Sequence, residues 1–261
     1  LVREPLPVVA ITTTAGTGSE VDQWGVVTNP ETNEKIGCGG MDSLFPVLAV
    51  VDAELMTTVP PEFTAYQGFD TLFHAVEGYI SAAANPMSDM VQAASITRVG
   101  KYLARAVKNG GDLEARENMA FANTLSGWSM VTGSCTSEHS MEHAMSAYHP
   151  DLPHGAGLVM ISKAYFTHFI NQHACDGRFV EMARMLGMEE AAAPMDFITA
   201  LEQLQKDCGV DDLKMSDYGI KADECMTLAR NARATMGGLF ACDRVPLTDE
   251  ECAAIYEKSY R

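Results

Sequence analysis

Residues 60–81 read PPEFTAYQGFDTLFHAVEGYIS, and this stretch predicts a long helix. Proline at position 61 suits the start of a helix, because its missing N–H is not needed in the first turn. Asp70 and His74 are four residues apart within this stretch, so both side chains lie on one face of the helix. A carboxylate and an imidazole placed in this way can bind the same divalent ion.

A second stretch, EHSMEHAMSAYHPDLPHGAGL at residues 138–158, supplies further ligands. His139 opens another pair spaced by four residues, and His154 follows a short loop in the sequence Pro-His-Gly. One carboxylate and three neutral imidazoles, from Asp70, His74, His139 and His154, suit Fe(II) or Zn(II) better than Mg or Ca. A closed set of four protein ligands is typical of a structural ion, whereas a ligand on a loop favours an open position for a substrate oxygen.

The order of the predicted elements gives a mainly α fold. Runs rich in β-branched residues occur only near the start, at 6–13, 25–28 and 47–51, with a turn at 29–34. We therefore predict two parts: residues 1–55, the end of an α/β domain, and residues 56–261, an all-helical metal-binding domain. Three strands are too few for an independent sheet, so further strands are expected before Leu1. The predicted helices are 61–81, 87–108, 113–132, 138–147, 157–172, 178–186, 195–208, 222–234 and 249–260.

Composition narrows the possible partners. The chain has 261 residues and a formal net charge of −17, which disfavours binding to nucleic acid or to an anionic membrane. The 7 cysteines are scattered without a C-x-x-C pair, a pattern typical of a reducing compartment. The opening residues lack a secretory signal, and no apolar run approaches the length of a membrane span. A cytoplasmic location is therefore expected.

Three stretches resemble, in order, the iron-containing (group III) alcohol dehydrogenase family: ITTTAGTGSEV at residues 11–21, residues 60–81 and residues 138–158. The resemblance covers nearly the whole chain and implies the same four metal ligands as the spacing does. His143 falls where that family has a histidine close to the nicotinamide and the substrate, which implies a role in proton relay or substrate orientation. The alternative is that His143 only orients a metal ligand.

The resemblance also implies a nicotinamide cofactor, NAD or NADP. Hydroxyls, backbone N–H groups and close approach to the cofactor would come from the Thr/Gly stretch, and one basic residue would lie nearby. The residues that carry this expectation are Thr13, Thr14, Gly16, Thr17 and Lys35. A solvated turn lysine is the alternative for Lys35. The resemblance makes residues 1–55 the end of the family's Rossmann-like dinucleotide-binding domain and residues 56–261 its catalytic domain. Most of the first domain, with its Gly-rich phosphate loop, is expected before Leu1.

The activity implied by the resemblance is reversible hydride transfer between a small primary alcohol or aldehyde and NAD(P), in a family that often forms homodimers. Apolar residues expected near the site favour a neutral substrate; these are Phe73, Trp128, Met141, Met145 and Tyr148. Three alternatives stay open: a dehydroquinate synthase-like or glycerol dehydrogenase-like activity on the same scaffold, a metal-binding helical fragment without turnover, and a protein-interaction module.

Overall fold

The computed structural model describes residues 5–261, so the start of the predicted first domain, residues 1–4, lies outside the described part. The fold is mainly α, as predicted. Short 3₁₀ turns occur at Asp42–Leu44, Ala53–Met56, Met215–Tyr218 and Ala222–Glu224. The helices of residues 5–261 are α1 (Pro61–Ile80), α2 (Pro86–Lys108), α3 (Leu113–Thr132), α4 (Ser137–Tyr148), α5 (His154–Asn171), α6 (Asp176–Met185), α7 (Asp196–Cys208), α8 (Cys225–Phe240) and α9 (Asp249–Ser259).

The strands all precede the helices. They are β1 (Val9–Thr12), β2 (Trp24–Asn29), β3 (Glu34–Gly39) and β4 (Leu48–Val51). β1 pairs in parallel with β4, with Val9 opposite Leu48, and β2 forms a hairpin with β3, with Asn29 opposite Glu34. The turn predicted at 29–34 closes this hairpin and is confirmed. The prediction missed β3, because Ile36 is its only β-branched residue and its strand conformation depends on pairing with β2.

Helix α1 is the centre of the helical part. Every residue from Thr64 to Ile80 is buried except Gln67. A helix buried on all sides needs neighbours around it, and α1 packs against α2, α3 and α5. Gly68 permits the close contact with α2, since a Cβ there would collide with the side chain of Leu103. The metal-ligand candidates on α1 are therefore held in the best-packed part of the molecule.

Four helix ends differ from the predicted ones by two residues or more, among them the start of α8, which lies at Cys225 and not at residue 222. α5 begins at His154 and not at residue 157, because Pro153 keeps an extended conformation (ψ 133°) and the helix starts directly after it. α6 begins at Asp176 instead of residue 178. α8 does not end before the Gly-Gly pair at 237–238: it passes through Met236 in a non-helical conformation (φ −135°, ψ 39°) and continues to Phe240.

The strand segments expose much of their apolar surface. Leu6 is 84% exposed, Val27 62% and Val47 68%, and β2 is exposed along its whole length. Strands of an α/β sheet ordinarily bury such side chains under helices and neighbouring strands. Among residues 5–261, no helix combines the length and the apolar character that a bilayer span requires.

Candidate metal centre

The i,i+4 pair on α1 places Asp70 and His74 side by side in the interior. Both residues are buried, with 4% and 6% of their surface exposed. The ring of His74 stacks on that of His139, which α4 brings alongside, at a centroid distance of 4.3 Å. Two helices thus supply three of the four predicted ligands, as the spacing in the sequence indicated.

The fourth predicted ligand, His154, is the first residue of α5. Its position depends on close contact between α5 and α1 at the following residue. A Cβ on Gly155 would collide with the backbone of Tyr66, so only glycine lets the start of α5 approach α1 this closely. The Pro-His-Gly sequence therefore has a local structural reason: proline starts the helix, histidine faces the centre and glycine makes room.

All three histidines converge on one oxygen atom. Asp70 Oδ1 lies 3.5 Å from His74 Nδ1, 3.4 Å from His139 Nε2 and 3.5 Å from His154 Nε2. A tetrahedral ion with metal–ligand bonds of about 2.0–2.2 Å holds its ligand atoms roughly 3.4 Å apart. These three nitrogen–oxygen distances and the donor set, three imidazoles and one carboxylate, suit a borderline divalent ion, and the ligand atoms of Asp70, His139 and His154 all lie within 4.8 Å of one another.

A buried nitrogen without a hydrogen-bond partner also indicates that an ion binds at this centre. His74 Nδ1 is buried and has no hydrogen-bond partner among the described residues. Leaving a buried polar atom unpaired costs about 1–3 kcal/mol. Burial lowers the pKa of His74 to about 4, despite the nearby Asp70, so this imidazole is neutral and able to coordinate at pH 7.

The pKa values of the other three ligand groups depend on the charges of their neighbours. Burial opposes ionisation of Asp70, but the imidazoles of His74 and His154 and the hydrogen bond with His139 hold the pKa of its carboxyl well below the usual range. Burial likewise opposes protonation of His139 and His154, yet nearby carboxylates raise the pKa of both. The carboxylates therefore stabilise a positive charge at the metal centre, which protons or a metal ion can supply.

Two buried glutamates, which the sequence-based predictions missed, hold the outer nitrogens of the ligands. Glu77 Oε1 accepts a hydrogen bond from His139 Nδ1, and Glu142 Oε2 accepts one from His154 Nδ1. Carboxylate–histidine–metal arrangements of this kind fix the tautomer and orientation of the imidazole. The signal was present in the sequence, because Glu77 lies three residues after His74 and Glu142 three residues after a ligand on α4.

Glu77 is itself anchored by the segment before α4. Its Oε2 accepts hydrogen bonds from the Thr136 backbone N–H (2.7 Å) and hydroxyl (2.9 Å). Tyr165 donates to the same hydroxyl (2.9 Å), and Asp243 accepts from the Ser137 N–H (3.1 Å). These contacts join α1, α4, α5 and the segment after α8 behind the metal centre.

His143 lies beside the four converging residues without sharing their common oxygen. Its ring centroid is 5.2 Å from that of His154 and 6.3 Å from that of His139. His143 Nδ1 contacts Met236 Sδ at 2.7 Å, at the break in α8. Burial, with the positive charges of His154 and Lys35, lowers the pKa of His143 well below its usual range, so the imidazole is neutral at pH 7.

The predicted cofactor residues border the same centre. Gly16 is buried directly against Asp70, since a Cβ there would lie 3.2 Å from Asp70 Oδ2. The three threonines of this stretch (Thr13, Thr14 and Thr17) are exposed. Lys35 Nζ donates to Ser146 Oγ (2.8 Å) and lies 3.8 Å from Glu142 Oε2. Lys35 therefore faces α4, and contact of any of these residues with a cofactor stays a prediction.

Of the five apolar residues expected near the site, three lie in the hydrophobic core, and Tyr148 is partly buried against the same core. Phe73, Met141 and Met145 are fully buried in the hydrophobic core, and Trp128 is 54% exposed. The two methionines follow the α4 histidines by two residues, which places them on the opposite face of the helix. These side chains are therefore no basis for inferring a neutral substrate.

Comparison with known proteins decides the family. A model of the Fe-containing alcohol dehydrogenase family, C-terminal part, matches residues 64–260, and a model for iron-containing alcohol dehydrogenase matches residues 1–53. The chain belongs to the iron-containing alcohol dehydrogenase family. The resemblance noted in the sequence is thereby confirmed.

Two named dehydrogenases are among the relatives of this chain. Alcohol dehydrogenase 4 of Schizosaccharomyces pombe is 34% identical over 263 residues, covering 98% of this chain and 60% of that protein. NAD-dependent methanol dehydrogenase of Bacillus methanolicus is 35% identical over 237 residues, covering 88% of this chain and 61% of that protein. The chain thus spans about three fifths of the length of these relatives.

Solved structures share the fold. An archaeal halo-thermophilic alcohol dehydrogenase from a Red Sea brine pool superposes with a TM-score of 0.92 at 32% identity, over 97% of this chain and 64% of that one. A 1,3-propanediol oxidoreductase superposes with a TM-score of 0.91 at 30% identity, over 100% of this chain and 68% of that one. The alcohol dehydrogenase fold therefore extends over both the strands and the helices described above.

Proposed function

We propose that the protein is a metal-dependent alcohol dehydrogenase that transfers hydride reversibly between a small primary alcohol or its aldehyde and NAD or NADP. The observation that carries this proposal is the convergence of His74, His139 and His154 on Asp70 Oδ1 at 3.4–3.5 Å. Family membership supports Fe(II) as the ion, and the donor set also suits Zn(II). The name of the Bacillus methanolicus relative supports NAD as the cofactor and a small alcohol as the substrate.

The residues of the chain have separate tasks in this proposal. When bound, the ion supplies Lewis acidity towards the alcohol oxygen and the nicotinamide accepts the hydride. Asp70 and the three ligand histidines hold the ion in a buried pocket, while Glu77 and Glu142 fix two of the imidazoles. His143, neutral and next to the ligands, takes up the alcohol proton at Nε2, since its Nδ1 faces Met236.

The proposal is tested on the complete protein, because this chain spans only part of its relatives' length. Anaerobically purified protein is expected to oxidise short primary alcohols with NAD or NADP, to lose activity on chelation and to regain it with Fe(II) or Zn(II). Each cofactor and each metal is assayed separately. Full turnover by protein shown to be free of metal contradicts the proposal.

A second prediction concerns His143. We expect His143→Asn to lower turnover by about 100- to 10,000-fold, the usual contribution of a general base, without loss of bound metal. Metal content and steady-state rates are measured on the same sample. His173→Asn is the matched control: His173 has an exposed side chain and a positive φ of 52°, which asparagine tolerates. Unchanged turnover in His143→Asn would leave this residue only an orienting role.

A further inference from the structure

A thiol lies next to the metal centre. Cys135 immediately precedes Thr136, the residue whose N–H and hydroxyl bind Glu77. It is a free cysteine, 8% exposed. The same hydrogen bonds that anchor Glu77 behind His139 therefore also fix the backbone that carries Cys135.

Two of the three ligand histidines face this thiol as well as Asp70. The ligand atoms of His74, Cys135 and His139 all lie within 4.8 Å of one another. His74 keeps a donor atom free for either position, because its buried Nδ1 has no hydrogen bond among the described residues.

We propose that His74, Cys135 and His139 form a second position for a divalent ion of the Zn(II) or Cd(II) type, separate from the position that includes Asp70 and His154. Binding forms a sulfur–metal bond and releases the Cys135 S–H proton to water. The two positions share His74 and His139, so an ion in one excludes an ion in the other. This second position requires neither cofactor nor alcohol and does not depend on dehydrogenase activity.

The two sets of ligands prefer different ions because their donor atoms differ. The position with Asp70 offers one oxygen and three nitrogens, which suits Fe(II) and Zn(II), whereas a thiolate ligand favours softer ions such as Cd(II). A soft ion bound at Cys135 therefore competes with an iron-type ion for His74 and His139.

The test uses Co(II), Cd(II) and Mn(II) added singly to the metal-free chain. Co(II) is expected to give a sulfur-to-cobalt charge-transfer band in the near ultraviolet, and Cys135→Ser is expected to abolish it. The same variant should lower Cd(II) affinity by at least about tenfold, the smaller of the usual effects of altering a metal site, and leave Mn(II) affinity unchanged. Cys208→Ser, which removes a buried thiol at the end of α7, should keep the band and both affinities.

X-ray absorption of the Cd-loaded wild-type chain gives a reading that does not depend on the folding of a variant, and one sulfur ligand is expected. Co(II) binding without a sulfur band, or a band that survives in Cys135→Ser, overturns the thiolate position and leaves the four-ligand centre intact. Failure of every ion to bind contradicts both.

Discussion

Replacing Asp70 by Asn is expected to remove the bound metal and to lower alcohol oxidation by at least about a thousandfold, since a metal Lewis acid contributes several kcal/mol to the barrier. Asn keeps the size of the side chain, so Gly16 and the helices around it keep their packing. What disappears is the negative charge on which the three imidazoles converge. The measurements are metal content after anaerobic purification and steady-state turnover of the complete protein.

The control variant must remove one carboxylate charge at a position outside the metal centre. Asp151→Asn does so, because Asp151 is an exposed residue of the loop between α4 and α5. We expect this variant to retain both metal and turnover. If Asp70→Asn binds one ion as tightly as the wild type, Asp70 is not a ligand, and a circular dichroism spectrum like that of the wild type would show that the variant is folded.

The parts of the site that local spacing specifies were predictable. Asp70 and His74 share one face of α1 whatever the tertiary structure, and Pro153 with Gly155 marks a helix start. The cap of α9 follows the same rule: Thr248 accepts from the Glu251 N–H and Glu251 accepts from the Thr248 N–H, as the sequence pattern of a capping box predicts.

The remaining features depend on contacts between distant residues. Met236 contacts His143 at the break in α8; the Gly-Gly pair at 237–238 marks an interruption of the helix, but the contact with α4 depends on the fold. Cys135 approaches His74 across a gap of about 60 positions in the sequence. β3 becomes a strand by pairing with β2. Glu77 and Glu142 had suitable spacing, but a helical glutamate is usually solvated, and only the fold shows that both are buried.

Substitutions at the two glutamates are expected to lower metal affinity alike but to lower stability to different extents. The pair therefore separates an effect on metal binding from an effect on folding. Glu77→Gln and Glu142→Gln each remove a buried carboxylate that holds a ligand imidazole. Each is therefore expected to lower metal affinity by about 10- to 100-fold. Metal titration of both variants, with the wild type alongside, measures this effect.

Among the described residues, Glu77 also holds the backbone before α4, whereas the further contact of Glu142 is an ion pair with Lys35, whose Nζ lies 3.8 Å from Oε2. The other oxygen of Glu77 accepts from both the N–H and the hydroxyl of Thr136 at the start of α4, whereas Glu142 Oε1 has no hydrogen-bond partner among the described residues. Hydrogen bonds to a charged group contribute about 1.5–3 kcal/mol each, so Glu77→Gln should also lower the free energy of unfolding of the metal-free chain by about that amount. Glu142→Gln should change this free energy much less. Equal losses of stability in the two variants would contradict the anchoring role of Glu77, and a loss of stability without a loss of affinity would show that His139 does not need its carboxylate to bind the ion.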